Sequence, residues 1–484
     1  MKIAEPDTVF IATPQKRSPE HRPRFALFDL GFRPFYLCGA AFGALSVTVW
    51  LLVLSGVPLF GGYLLRADPV AWHAHEMVFG FAAAIVAGFL LTAVRAWTGR
   101  DTAKGATLAS LVLLWLAGRV LVWSGPALPA AIVDSAFLPV AAILLLRVLV
   151  EAGNRRNYFI AVVVFAFGAL NAAFHAFAID ARPDLAMRAV CASAGIVVLL
   201  VGVIGGRVIP MFTANAMPGF IARRWRFVEL MAAPLTIAAF VADAFALDGA
   251  IVAPIALLAC GVHLARMIGW RSYAVRGRPI LAILHLAYAW LPLGFALLAL
   301  SALGWTRVPH SLAMHAFAAG AIGGAIIAMI TRTARGHTGR PLVADTRDVA
   351  CYALVMSAGA LRVLGPLVAP SWHSTWVFGW VVLGSCVRAL RRRLCRAALQ
   401  AARGWQARLR RRRILTSGSE GSARIASGFP DSDSDPAMKH LRSLCAAAML
   451  IAALLALSGC GLFGCSGFAT NGGGFGGCSV GTRF

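Results

Sequence analysis

Acidic side chains are scarce in this chain: 20 Asp and Glu stand against 45 Lys and Arg, and the four types together make up 13% of 484 residues. A soluble domain carries roughly a quarter charged residues, so this composition excludes an ordinary water-facing fold. Carboxylate-only sites for Mg or Ca lack the acids they need. Other signatures are missing as well. No CxxC or CxxCH occurs, which removes support for a zinc ribbon or covalently attached c-type haem. Residues 1–33 are polar and basic, without the apolar core of a signal peptide. The net charge of +25 comes with no nucleic-acid-binding module, and its basic residues fall in short connectors, so no nucleic-acid partner is expected.

What is present in abundance is apolar sequence. Hydrophobic residues make up 59% of the chain, and mean hydropathy is +0.76. Runs long enough to cross hydrocarbon recur at 34–58, 71–94, 106–125, 130–150, 157–178, 188–210, 227–246, 249–270, 279–301, 309–331, 348–368 and 372–392. Only a helix satisfies its own backbone along one such segment. The expected fold is therefore an all-α transmembrane bundle of about twelve spans over residues 34–392, with the lipid bilayer as its solvent.

Connector charges orient the bundle. Arg95, Arg100 and Lys104, then Arg147, Arg155 and Arg156, then Arg223, Arg224 and Arg226 lie between alternate spans, and Arg266 to Arg278 and Arg332 to Arg347 continue the pattern. The opposite connectors hold little beyond Arg66, Arg182, Arg188 and Arg307. The positive-inside rule then places both ends of the core in the cytoplasm. Residues 1–33 form a basic cytoplasmic segment, and 393–437 a basic helix followed by a Ser/Gly/Asp-rich linker. From Met438 the sequence resembles a small lipoprotein precursor, with a basic start, an apolar core and the lipobox Leu457-Ser458-Gly459-Cys460. Residues 438–484 read as a lipidated tether, a fused neighbouring reading frame or a thirteenth apolar segment. Elsewhere, Cys38, Cys191, Cys260, Cys351 and Cys386 lie in or beside apolar runs and behave as small hydrophobes.

Ionisable residues at membrane depth are costly and mark function. His73, His75 and Glu76 open the second span, His175 lies near the outer end of the fifth, and His310 and His315 open the tenth. Arg119 and Arg362 join them in the periplasmic third of the bundle. Any one of these histidines alone reads as a hydrogen-bonded interfacial side chain. As a set they suit haem or metal ligation, because neutral imidazole binds Fe, Cu and Zn without burying a charge. At ~100° per residue, His73 and His75 point to nearly opposite faces and His310 and His315 sit ~140° apart. His75 and His315 are thus expected to reach inward, with His73 and His310 nearer the surface. His263 and His285 fall in the inner halves of spans eight and nine, as a possible second site. Gly320, Gly323 and Gly324 form a small-residue packing face.

The strings GFRPFYL (31–37), WHAHEMVFGF (72–81), GRVIPMFTAN (206–215) and HAFAAGAIGGAIIAMITRTARGHTGRP (315–341) together resemble the NnrS family over roughly residues 25–395. The resemblance implies a twelve-span inner-membrane protein that holds b-type haem and copper through histidines and takes part in nitric-oxide and nitrosative-stress responses. Its ligands are expected among His73, His75, His310 and His315, with His175, Arg119 and Arg362 around the cofactor. His337, within the last string, falls in an expected cytoplasmic loop. It reads either as part of a second site with His263 and His285 or as a loop anchor. The ligand is expected to be nitric oxide or another small diatomic. The electron donor stays open.

Two other classes compete. A haem–copper-type nitric oxide reductase or oxidase relative also uses twelve spans, but this chain has no adjacent His-His pair and no HPE motif, and only one His-x-His, at His73 and His75. A secondary transporter shows twofold halves and midplane helix breaks, and no clear halves are visible. Colour separates them, since a transporter is colourless whereas a b-haem protein has a Soret band.

Overall fold

Eleven helices in the computed structural model are long and apolar enough to cross a membrane. The structure describes residues 26–59 and 61–369, with the backbone of two short strands at Gly464–Ser466 and Gly477–Ser479. The expected twelfth span at 372–392, the arginine-rich segment and most of the lipoprotein-like tail lie outside the described residues.

The helices are α1 (Phe32–Leu54), α2 (Pro69–Thr98), α3 (Gly105–Ser124), α4 (Ala127–Glu151), α5 (Tyr158–Ile179), α6 (Pro183–Ala216), α7 (Arg226–Ala244), α8 (Gly249–Gly269), α9 (Pro279–Ala302), α10 (His310–His337) and α11 (Thr346–Val368). Local signals set several ends. Asp68 caps α2 by accepting from the Val70 and Ala71 amides, with Pro69 in the first turn. Gly99, at φ +67°, closes the same helix. Asp345 and Asp348 form a reciprocal capping box at the start of α11. Helix α6 runs past its expected end at 210 to Ala216, through Pro210, and α10 runs to His337. His337 is therefore the last residue of a helix, not a loop residue, and its ring stacks on Phe32 at 5.1 Å.

Sequential helices pack as neighbours, and α6 also touches α2, α9 and α10. Helices α2, α6, α9 and α10 are the most enclosed, whereas outer helices present Leu113, Ile132, Val162 and Leu257 outward as a lipid-facing surface. Gly324 allows close approach to Ala287 of α9 and Met356 of α11, so the expected small-residue face packs helices together. Two π-helical segments interrupt the enclosed helices, Glu76–Ala82 in α2 and Ala316–Ile322 in α10. Each begins directly after a histidine. Between α1, α2, α6, α9 and α10 lies an apolar cavity of about 100 Å³, lined by side chains such as Tyr36, Val86, Phe89, Val201, Ile322 and Met329.

Candidate metal centre in the outer layer

Helix α2 carries His75 and Glu76 at its π-turn, ~9 Å below its outer end at 1.5 Å per residue. The extra residue of a π-turn shifts the helix face by about a quarter turn, and both side chains enter the space between α3, α4 and α5. Glycine makes the space. A Cβ on Gly80 would lie 2.8 Å from Glu76 Oε2 and 3.1 Å from Arg119 Nη1, and one on Gly118 would lie 2.9 Å from Asp134 Oδ1. The Gly80 carbonyl in turn accepts from Trp115 Nε1 at 3.0 Å, which ties α3 to the π-turn.

Seven polar side chains meet there. His75 Nδ1 faces Glu76 Oε1 at 3.0 Å, and its Nε2 faces Asn171 Oδ1 and Asp134 Oδ2, each at 3.1 Å. Arg119 donates to Glu76 Oε2 at 2.7 Å and pairs with Asp134 Oδ1 through its other terminal nitrogen. Asp134 Oδ2 accepts from Asn171 Nδ2 at 2.9 Å and faces His175 Nε2 at 2.9 Å. His175 Nδ1 meets the Tyr63 hydroxyl at 2.5 Å. From His75 to His175 these residues are 4% exposed or less. Tyr63 sits on the short helix Tyr63–Ala67 outside the spans. Burial, and then the Glu76 charge, push its phenol above the usual range, so it stays protonated as a donor.

The donor set fits a cation. His75, Asp134 and His175 offer ligand atoms that all lie within 4.8 Å of one another, from three different helices. Two carboxylates face one guanidinium, so with neutral imidazoles the cluster carries a surplus negative charge in an apolar bundle. A cation or a proton balances it. Two imidazole nitrogens and one carboxylate oxygen suit Cu, Zn or Fe, and Tyr63 and Glu76 supply outer partners to the ring nitrogens turned away from the shared centre. A macrocycle does not fit here: the His75 ring is packed by Phe79, Phe174 and His175, with centroids 5.1, 4.7 and 4.8 Å away.

The other expected site residues lie elsewhere. His73 stacks on Trp50 of α1 at 4.5 Å. His310, at the outer surface, binds Asp243 at 3.0 Å. His315 is half-buried, and its Nδ1 lies 2.6 Å from the Ser311 carbonyl. The structure thus joins His75 to His175 but brings neither His73, His310 nor His315 into that cluster. On the inner side, His263 and His285 occupy separate networks. The first lies between Thr236 at 2.9 Å and the Tyr288 hydroxyl at 2.7 Å, the second between Thr213 at 3.2 Å and Ser272 at 2.8 Å. Arg266 extends the first network, donating to the Gly202 carbonyl, Tyr288 and Glu229.

Asp134 and Tyr63 had no place in the expected site, and Glu76 stood there only as a neighbour of histidines. Asp134 carried a readable signal all the same, as a lone carboxylate inside the apolar run 130–150.

No curated protein matches the chain. The family model described as NnrS protein matches residues 26–389, a stretch that takes in all eleven helices and the whole outer-layer cluster. The chain belongs to the NnrS family.

Proposed function

We propose that this protein is a haem- and copper-binding protein of the bacterial inner membrane that serves the response to nitric oxide and nitrosative stress. The observation that carries the reading is the buried trio His75, Asp134 and His175, placed inside a membrane-spanning bundle of the NnrS family. His75, Asp134 and His175 would hold a copper ion, which would supply binding of a diatomic ligand there. Asp134 offsets its charge, while Glu76 and Tyr63 fix the orientation of the two imidazoles. Arg119 pairs with both carboxylates and holds them in place, and Phe79 and Phe174 exclude water from the His75 ring. The apolar cavity between α1, α2, α6, α9 and α10 suits a small uncharged gas arriving through the bilayer, since it offers no hydration and demands none.

Metal analysis and an optical spectrum of the purified full chain test the reading. Wild type is expected to hold a transition metal and to show a Soret band that shifts with nitric oxide. His75→Ala and His175→Ala are expected to lose the non-haem metal. Full retention of metal in both variants, or a colourless and metal-free wild type, overturns it.

A further inference from the structure

At the cytoplasmic end of α6, arginines gather without acids to match them. Helix α6 has 34 residues, ~50 Å at 1.5 Å per residue, so it outruns a hydrocarbon core of about 30 Å. Arg207 lies about two and a half turns before its inner end at Ala216. There its Nη1 donates to Asn157 Oδ1 at 3.1 Å, and its guanidinium lies over the Phe159 ring at 5.6 Å. Asn157 immediately precedes α5, so Arg207 stands level with the cytoplasmic end of that span, the depth of headgroup phosphates. Arg156, next to Asn157, and Arg224, in the connector to α7, lie close enough to act on Arg207 as like charges. Three guanidinium groups thus converge from α6 and from the connectors before α5 and after α6.

The acids of this corner are engaged elsewhere. Glu151, at the end of α4, binds Arg147 at 2.8 Å. Glu229 of α7 binds the buried Arg266 at 2.8 Å and reaches Arg224 at 3.4 Å. Gly206 makes room for Arg266, since a Cβ there would lie 2.9 Å from its Nη1. Arg156, Arg207 and Arg224 are left with a surplus positive charge. The connector beside them has the make-up of a membrane surface segment. Ile221 and Phe227 are 79% and 70% exposed and stand among Arg223, Arg224 and Arg226, while the Arg223 guanidinium covers the Trp225 ring at 5.3 Å. Apolar side chains that enter the edge of the hydrocarbon, next to guanidinium groups at phosphate level, hold such a segment at the interface. The exposed Val162, one turn from Phe159, and Leu230, one turn from Phe227, continue the apolar track into the bilayer along α5 and α7.

We propose that Arg156, Arg207 and Arg224 form a binding site for the phosphate of an anionic phospholipid of the cytoplasmic leaflet, such as phosphatidylglycerol, whose acyl chains lie along α5 and α7. Arg207 is its central group, because it is fixed on a helix by Asn157 whereas Arg156 and Arg224 approach from connectors. A guanidinium offers paired N–H donors to two phosphate oxygens in charge-assisted bonds. Free phosphate shares this chemistry, but the exposed apolar residues around the three arginines favour a ligand with chains. The site is separate from the His75 centre and stands independently of the haem and copper reading.

The test uses the delipidated full chain in detergent and three probes: phosphatidylglycerol, phosphatidylethanolamine with the same acyl chains, and inorganic phosphate. Native mass spectrometry over a lipid titration is expected to show wild type binding phosphatidylglycerol at least ~10-fold more tightly than phosphatidylethanolamine. Equimolar inorganic phosphate is expected to leave the bound lipid in place. Arg207→Gln is expected to bind both lipids alike, and Arg207→Lys to keep part of the difference. Arg100→Gln, which removes an arginine from the α2–α3 connector, is expected to match wild type. Gel filtration and melting without lipid report whether each variant is folded. Should Arg207→Gln fail to fold, the double variant Arg156→Gln with Arg224→Gln, altered only on exposed connectors, is expected to lose most of the preference. A wild type without preference, an equal loss in Arg100→Gln, or a preference kept by the folded Arg207→Gln or by the double variant overturns the site. Displacement of the lipid by inorganic phosphate overturns its assignment to a lipid.

Discussion

Arg119 sits where two carboxylates of opposite helices would otherwise repel each other in a medium of low dielectric. Removing one partner from such a group leaves an uncompensated buried charge, which costs about 3–5 kcal/mol. Arg119→Leu is therefore expected to lower thermal stability in detergent by that order, and adding Asp134→Asn to the same chain to restore part of the loss. A single variant as stable as wild type would mean that the acids carry their own protons and that no surplus charge awaits a metal. Tyr63 allows a finer test. Its hydroxyl meets His175 Nδ1 and leaves Nε2 directed at Asp134. Outer partners of a ligand histidine are worth about 10–100-fold in metal affinity. Tyr63→Phe is accordingly expected to weaken metal binding ~10-fold with little change in melting temperature. Unchanged affinity in a competition titration would remove the tyrosine from the site. The histidines of this layer were legible in the sequence because each interrupts an apolar run. Their grouping was not, because depth along a helix follows from residue count whereas azimuth depends on packing. His315 shares the depth of His75, yet His75 turns toward α4 and α5.

At the scale of elements, the π-turns do what an ordinary helix would not. A histidine followed by a π-turn gains rotation without a proline kink, and the extra residue is tolerated because glycine lets an aromatic ring lie on the widened turn. In α2 that glycine also makes room for the ion pair between Glu76 and Arg119. Gly320→Ala would drive a methyl group into the Trp290 ring, and overpacking of this kind costs about 1–3 kcal/mol. The same change at Gly323, whose Cβ position has no neighbour closer than 3.6 Å, is expected to be nearly neutral. Thermal unfolding of the two variants side by side checks the contrast, and equal losses would show that α10 is merely intolerant of alanine at its middle. Neither π-turn was legible beforehand, because apolar periodicity over seven residues cannot separate a 3.6-residue turn from a wider one. The recurrence of residues between α2 and α10 is hard to read in the sequence for another reason. His75, Gly80, Arg95, Thr98, Gly99 and Arg100 recur as His315, Gly320, Arg335, Thr338, Gly339 and Arg340 eight spans later, not as two halves of the bundle, and the shared residues are a handful within otherwise interchangeable apolar sequence.

The number of crossings decides the orientation of the whole molecule. The eleven described helices were legible almost entirely, since hydrocarbon thickness fixes span length and connector arginines mark alternate ends. Starting from a cytoplasmic basic segment before α1, an odd count would leave residues 391–413, dense in arginine, on the outer side. That arrangement opposes the charge asymmetry that orients every other connector, so the sequence leads one to expect a further crossing at the apolar run 372–392. Single cysteines test the count in a background whose native cysteines are replaced. Thr306→Cys, between α9 and α10, is expected to react with a membrane-impermeant maleimide added to intact cells. Arg155→Cys, between α4 and α5, and Ser417→Cys, beyond the arginine-rich segment, are expected to react only after permeabilisation. Should Ser417→Cys react from outside while Arg155→Cys does not, the chain crosses an odd number of times, and the positive-inside argument for its end fails. The outer-layer placement of the His75 centre depends only on the first five crossings, so that outcome would leave it standing.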